Sequence, residues 1–155
     1  EGEPVRLEDG IDLRGEDLKR TRINNITLSN IDFSGADLSF ADLSQTRFFH
    51  CNFQGANLEH VVALEAKFRD CNFLDARVKY AQIPISPEQF VTTHEYKTRK
   101  MFGKSYKAQG DDFSNFRFED SLVKELKGCN LTDARFVGYC PTGFMTKEQL
   151  VSTYN

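Results

Sequence analysis

The sequence lacks the features that mark several large classes of protein. It contains no tryptophan, and no apolar run approaches the roughly 18 residues that a membrane-spanning helix needs. It also lacks a strong excess of one charge, because 23 acidic residues face 20 basic ones and give a net charge of −3. We therefore expect no membrane association and no direct binding of nucleic acid.

Motifs that carry chemistry are missing as well. The chain has no phosphate-binding loop, no nucleophile elbow and no zinc signature. Its three histidines, His50, His60 and His94, lie apart in the sequence, so they predict neither a metal cluster nor a catalytic pair. We expect a protein that is not an enzyme, with no catalytic, cofactor-binding or metal-binding residues and no small-molecule substrate.

What the sequence does contain is a period of five residues. From Leu13 to Ile83, every fifth residue is hydrophobic. Two positions before each of these residues lies a second series of mostly small or branched side chains. Such a period fits neither an α-helix nor an ordinary strand, and it indicates stacked coils that share one core. The predicted inward-facing plugs are Leu13, Leu18, Ile23, Leu28, Phe33, Leu38, Leu43, Phe48, Phe53, Leu58, Phe68, Phe73, Val78 and Ile83, with the smaller Ala63 completing the series.

The cysteines follow the same pattern. Cys51, Cys71 and Cys129 each fall at the small inward position and are each followed by asparagine. We interpret them as packing residues, and this use of cysteine favours a reducing cytoplasm over secretion. Whether Cys51 above Cys71 has a redox role stays open at this stage.

The repeats predict one elongated domain with two helices. An N-terminal approach (1–10) leads into a first repeat block (11–85), a helix (86–100, centred on 87–98), a second block (101–140) and a C-terminal helix (146–155). Ser86, Pro87 and Gln89 supply a capping box and a first-turn proline for the first helix. The second helix stops well short of its counterpart, so we expect the chain to be part of a longer protein.

The second block is irregular. Its candidate plugs are Met101, Tyr106, Phe113, Phe118, Val123, Leu131 and Phe136. The longer gaps before Phe113 and Leu131 predict two small insertions that emerge as bulges or loops.

The repeats resemble a known family. Residues 36–40 (ADLSF), 41–45 (ADLSQ) and 56–60 (ANLEH) follow the motif A(D/N)LXX of the pentapeptide repeat family. The resemblance implies an all-β solenoid, namely a right-handed quadrilateral β-helix with four pentapeptides per coil. Residues twenty apart would then lie above one another at the ordinary strand spacing of about 4.8 Å.

One local group of charges is a candidate partner-binding site. Lys97, Arg99, Lys100, Lys104 and Lys107 follow Glu95 with no acidic residue before Asp111. They would contact an acidic partner, or they would form an ordinary solvated helix end that complements the helix dipole.

The leading functional hypothesis is a non-enzymatic scaffold that binds another protein, or a structural repeat domain. Two alternatives follow from the resemblance. Some relatives modulate DNA gyrase as strongly acidic mimics of DNA, although here the first 85 residues carry only fourteen acids against ten bases. In bacterial effector ligases a β-helix precedes a catalytic domain, and this chain would then be the substrate-recognition portion of a larger multidomain protein.

Overall fold

The computed structural model describes residues 8–102, 112–119 and 129–137. Six three-residue strands and two four-residue helices lie in these ranges. In chain order they are β1 (Thr27–Ser29), β2 (Arg47–Phe49), β3 (Lys67–Arg69), α1 (Pro87–Phe90), α2 (His94–Lys97), β4 (Lys100–Phe102), β5 (Arg117–Glu119) and β6 (Arg135–Val137). They form two parallel sheets, β1-β2-β3 and β4-β5-β6.

Successive coils of the first block pair with an offset of twenty residues. Strand β1 pairs with β2 through Leu28 and Phe48, and β2 pairs with β3 through Phe48 and Phe68. Three further columns of parallel bridges keep the same offset: 12/32/52/72, 17/37/57/77 and 22/42/62/82. Each coil of this block therefore contacts the next at four places.

The hydrophobic series fills the interior between these contacts. Fourteen of the fifteen residues in the series are buried, and Leu18 in the first coil is partly buried. Phenylalanine rings stack along the coil axis: the Phe53 ring centroid lies 4.9 Å from that of Phe33 and 5.1 Å from that of Phe73. Among the small inward positions, Glu16 and Ile26 are exposed because they lie in the first coil of the described stack.

A left-handed backbone conformation recurs two residues after every plug from Leu13 to Val78. Glycine occupies it at Gly15, Gly35 and Gly55, but larger residues such as Phe40 (φ +61°) adopt it too. Residues with side chains rarely adopt this conformation. Here the neighbouring coil holds it in place, since the Phe40 amide donates a hydrogen bond to the Glu59 carbonyl at 3.0 Å.

The single helix predicted over 86–100 is wrong, because the segment forms two separate single turns. The predicted capping box is present at Ser86 and Gln89. The first turn ends at Phe90. Thr93 caps the second turn, and its hydroxyl accepts a hydrogen bond from the Tyr96 amide. Backbone groups at the break pair with the last coil instead, since Thr92 accepts from Asp75 and His94 donates to Ala76. These contacts compete with a continuous helix.

The two turns lie against the end of the first stack. Two side chains there make hydrogen bonds with the backbone of that stack. The Gln89 amide donates to the carbonyls of Phe68 and Cys71, and the Glu95 carboxylate accepts from the Val78 amide. The buried ring of Phe90 packs against Tyr96 and Phe113, which joins the helical segment to the second stack.

The second stack has a shorter period than the first. Met101 pairs with Phe118, seventeen residues on, and Phe118 pairs with Phe136, eighteen residues on. Each coil of the second stack is therefore two or three residues shorter than a regular one. The insertions predicted before Phe113 and Leu131 fall in segments outside the described residues. Phe113, Phe118 and Leu131 are buried and Phe136 is partly buried. The other second-block candidates, Tyr106 and Val123, and the C-terminal helix 146–155 lie outside the described residues.

Candidate interaction surface

Many outward polar side chains of the repeats are used within the fold. The Asp32 carboxylate accepts hydrogen bonds from the Ser34 amide at 2.9 Å and from the Asn52 side chain at 3.1 Å. Asn52 in turn accepts from the Gln54 amide and from the Asn72 side chain. This Asp/Asn ladder bonds the turns and links successive coils, so its carboxylates and amides have a structural role.

Acidic residues that stack in a column are bridged by a base from the same coil. Arg14 forms an ion pair with Asp12 at 2.7 Å and reaches Asp32 at 4.0 Å. Lys19 lies 3.4 Å from Asp37 and 3.9 Å from Asp17. The first two outward columns therefore present partly neutralised carboxylates rather than a continuous acidic field.

A partly exposed column of aromatic rings lies at the corner position that recurs every twenty residues. Phe40 stacks on His60 with ring centroids 4.6 Å apart, and His60 stacks on Tyr80 at 4.9 Å. The Arg20 guanidinium covers the other side of Phe40, 5.8 Å from its ring centroid. Phe40 is 54% exposed, and the other large hydrophobic residues that are exposed in the described ranges are aliphatic. We call these four residues the aromatic ridge.

Sequence reasoning missed the aromatic ridge, although its signal is present. Residues 20, 40, 60 and 80 share one position of the repeat, and all four adopt φ between +57° and +61°. Because ring faces stack on each other within the column, their edges point away from the coil. Comparing outward positions at a spacing of twenty would have found the column.

The predicted basic group is divided by the structure. Lys97 forms an ion pair with Asp75 at 2.7 Å. The Arg99 guanidinium lies over two rings, 5.5 Å from the Tyr96 centroid and 5.4 Å from the Phe116 centroid. The remaining candidates are Lys100, which begins β4, and Lys104 and Lys107, which lie outside the described residues.

Lys100 joins two cations that the sequence did not connect with it. Strand pairing places Lys100 beside Arg117 and Arg117 beside Arg135. All three residues are exposed. The irregular offsets of seventeen and eighteen residues hid this relationship from a search at the regular spacing. We call these three residues the cationic ladder.

Three of the four cysteines lie in the described residues, and all three are buried: Cys51, Cys71 and Cys129. The Cys71 thiol contacts the carbonyls of Arg69 at 3.4 Å and Phe48 at 3.6 Å. The neighbouring Cys51 thiol and burial together raise the pKa of Cys71. A thiol with a raised pKa forms little thiolate at neutral pH, so Cys71 is suited to packing rather than to redox chemistry.

The described residues contain no group of three metal-ligating side chains. None of the helices in the described ranges is long and apolar enough to cross a membrane.

His50 lies 4.0 Å from the Asp70 carboxylate, and both side chains are exposed. That contact has the geometry of a surface pair.

Comparison with known proteins agrees with the repeat register. The family model described as pentapeptide repeats matches residues 11–48 and 51–83 in eight copies. The first block therefore matches the repeats of the pentapeptide repeat family. In the described residues, the stacked coils with short parallel strands and few, short helices agree with a β-helix.

Two solved structures of pentapeptide repeat proteins align with most of the chain. One is a pentapeptide repeat protein from the Arabidopsis thaliana thylakoid lumen, 19% identical, with a TM-score of 0.30, covering 90% of this chain and 74% of its own. The other is a trypsin-treated variant of QnrB1, a plasmid-mediated fluoroquinolone resistance protein, 17% identical, with a TM-score of 0.29, covering 86% of this chain and 72% of its own. No curated protein sequence matches the chain.

Proposed function

We propose that this pentapeptide repeat protein is a non-enzymatic scaffold that binds another protein through the aromatic ridge. The observation that carries the proposal is the exposure of a stacked aromatic column beside a guanidinium. Aromatic residues and arginine are enriched at protein interfaces, where they supply much of the binding energy.

The supporting architecture is a four-sided, right-handed coil. Four pairing sites recur in each twenty-residue coil of the first block, and left-handed corners separate them. Parallel connections of this kind are right-handed in nearly all proteins. Such a rod presents flat faces and sharp corners, so a ridge on a corner is accessible to a partner.

A catalytic role has little support. The buried carboxylate among the described residues is Glu95, which is hydrogen-bonded to the Val78 amide and holds the end of the first stack. Mimicry of DNA is also disfavoured, because Arg14 and Lys19 neutralise the stacked carboxylates that would have to imitate phosphates.

The test compares two substitutions at exposed corner positions. Phe40→Asn removes the exposed phenylalanine ring, and Gln45→Asn changes the next corner. Both residues adopt φ near +60°, which asparagine tolerates. Each variant and the native chain serve as bait in a lysate of the source organism. We expect one protein to be retained by the native chain and by Gln45→Asn but lost with Phe40→Asn. Equal retention by all three would contradict the proposal.

A further inference from the structure

We propose that the side of the first block next to the aromatic ridge binds an amphipathic α-helix of the partner protein, lying along the coil axis. The apolar centre of this side is Val62 and Leu64, which we call the apolar pair. The inference rests on the protein-binding function proposed above and names the element of the partner that meets the ridge.

The apolar pair departs from the rest of the repeats. The residues directly before and after a plug are outward positions, and in the other fourteen pentapeptides of the first block at least one of the two is polar or charged. Leu64 is 56% exposed, the highest fraction among the exposed large hydrophobic residues of the described ranges, and Val62 is partly exposed. The fold does not require a hydrophobic residue at Val62, because Asp42 and Gln82 pair with it in the same column.

The apolar pair and the aromatic ridge form one continuous surface. His60, in the middle of the ridge, lies two residues before Val62, and Leu64 lies two residues after it. Alternate residues of an extended chain are at most about 6.8 Å apart, so the surface is at most about 14 Å wide. From Phe40 to Tyr80 it spans two coil spacings, or roughly 10 Å along the axis.

The size of this surface fits a single helix. An α-helix with its side chains is about 10–12 Å across, and two of its turns are about 11 Å long. Each partner in a stable dimer buries about 800 Å², which is several times the area available here. The occupant is therefore one element of a partner rather than a second copy of this chain.

The backbone of this surface is already paired, which favours a helix over an added strand. The Val62 amide donates to the Ala41 carbonyl at 3.0 Å, and the Val62 carbonyl accepts from the Leu43 amide at 2.7 Å. A strand gains affinity by hydrogen bonding to an open sheet edge, and this surface is the broad side of the stacked coils. A helix satisfies its own backbone groups and needs only side-chain contacts.

The column under the helix has a defined order of charges. Along the coil axis it reads Arg22, Asp42, Val62 and Gln82, each paired with the next. The coil spacing of about 4.8 Å is close to the helix pitch of about 5.4 Å, so residues one turn apart in the helix meet successive coils. A complementary helix carries an apolar residue over Val62, a basic residue one turn away over Asp42 and an acidic residue one turn further over Arg22.

The Asp42 carboxylate is positioned for the basic residue. It accepts hydrogen bonds from the Ser44 amide at 3.0 Å and from the Asn24 side chain at 3.1 Å. These two bonds fix the carboxylate on the surface, and an ionised carboxylate accepts about four. A lysine of the helix can therefore bond to Asp42 without displacing either donor.

The experiment measures fluorescence polarisation of a labelled helical peptide of about 18 residues, using the full 155-residue chain. The contact side of the peptide carries leucines spaced by three and four residues, then lysine one turn on and glutamate one turn further. The test variant is Leu64→Ser, which places the residue of Ser44 one coil on. The matched control is Leu74→Ser, the same change at the same position of the repeat on another side of the rod. Circular dichroism checks that both variants are folded.

We expect the native chain and Leu74→Ser to bind the peptide equally and Leu64→Ser to bind it about tenfold more weakly. Absence of binding by the native chain, or equal weakening in both variants, would overturn the inference. Equal binding of the same peptide with a central proline would show that the occupant is extended. A dimer of the native chain that Leu64→Ser abolishes in sedimentation would show that a second copy covers the surface.

The capture experiment separates this inference from the proposed function when Leu64→Ser is added as a further bait. We expect Leu64→Ser to lose the same protein as Phe40→Asn. A protein lost with Phe40→Asn but retained by Leu64→Ser would overturn the inference and leave the proposed function standing. Retention by Phe40→Asn would instead contradict the proposed function itself.

Discussion

The Glu95 carboxylate accepts a hydrogen bond of 2.7 Å from the backbone amide of Val78, although the two residues lie seventeen positions apart. In the coil below, the corresponding amide of Leu58 donates to the carbonyl of Arg77. A side chain from α2 thus replaces the backbone carbonyl that the next coil would supply. The replacement places a carboxylate, only 5% exposed, at the end of the first stack.

This arrangement predicts a pH dependence of stability. Burial raises the pKa of the Glu95 carboxyl above its ordinary value of 4.5, and the Val78 hydrogen bond and nearby His94 only partly oppose the shift. The folded chain therefore binds more protons than the unfolded chain just above pH 4.5, and this residue's contribution to the free energy of unfolding falls as pH rises. Glu95→Gln should remove that fall in urea unfolding measured across this range.

The control for this measurement is Glu88→Gln, at an exposed position of α1. Hydrogen bonds lower the pKa of Glu88, so its contribution to the free energy of unfolding rises with pH, and Glu88→Gln should remove that rise. At neutral pH, Glu95→Ala should cost about 1–3 kcal/mol, since it leaves the Val78 amide without an acceptor. Identical pH profiles for the native chain and Glu95→Gln would show that the carboxylate is not buried in solution.

Asp37 predicts the opposite dependence at lower pH. Burial raises the pKa of Asp37, but hydrogen bonds from Ser39, Asn57 and Lys19 outweigh it and lower the pKa to about 2. The stabilisation is complete above the ordinary value of 3.8 and is lost as pH falls towards 2. Asp37→Asn should therefore flatten the acid limb of a thermal melting series, and an acid limb identical to that of the native chain would contradict the role of this carboxylate.

The stacked phenylalanines predict a severe core variant. Phe53 is fully buried between Phe33 and Phe73. Replacing a buried phenylalanine by a small residue costs about 3–5 kcal/mol, and an unpaired buried charge adds to that loss. We expect Phe53→Asp to unfold the chain and Gln54→Asp, at the adjoining outward position, to leave its melting temperature nearly unchanged. An unaltered melt for Phe53→Asp would disprove the register.

The side chain of Gln89 predicts a fourth stability effect. Its amide nitrogen donates to the carbonyls of Phe68 at 3.0 Å and Cys71 at 3.2 Å. Gln89→Glu would place a carboxylate oxygen against both carbonyls, and we expect a loss of about 1–3 kcal/mol in urea unfolding at neutral pH. Glu88→Gln on the same turn serves as the matched exposed substitution. A loss no larger than that of this control would mean that Gln89 does not hold the first stack to α1.

The sequence predicts the first block well because one rule governs it. The plug at every fifth position fixes which side chains are inside, and a spacing of twenty fixes which residues stack. Local capping also works, since Ser86 and Gln89 form the predicted box. These features depend on a few neighbouring residues or on a period that repeats without interruption.

Prediction failed where tertiary contacts compete with local preference. The segment 86–100 has helical signals throughout, yet hydrogen bonds between Thr92 and Asp75 and between His94 and Ala76 divide it. Glu95 looks like a solvated helix residue until the coil beneath it is known. Arg117 and Arg135 could be aligned with Lys100 only after the shortened period of the second stack was measured.

The offset of twenty also decides which changes in length this molecule can accept during evolution. Loss of residues 41–45 would bring Phe33 over Leu58 and Phe40 over Glu65, so that inner and outer columns would both lose their partners. Loss of residues 41–60 would instead bring Phe33 over Phe73 and Phe40 over Tyr80, which preserves like on like. Descendants of this chain should therefore differ in length by whole coils within the first block, and each added coil would add one residue to the corner column that carries the aromatic ridge.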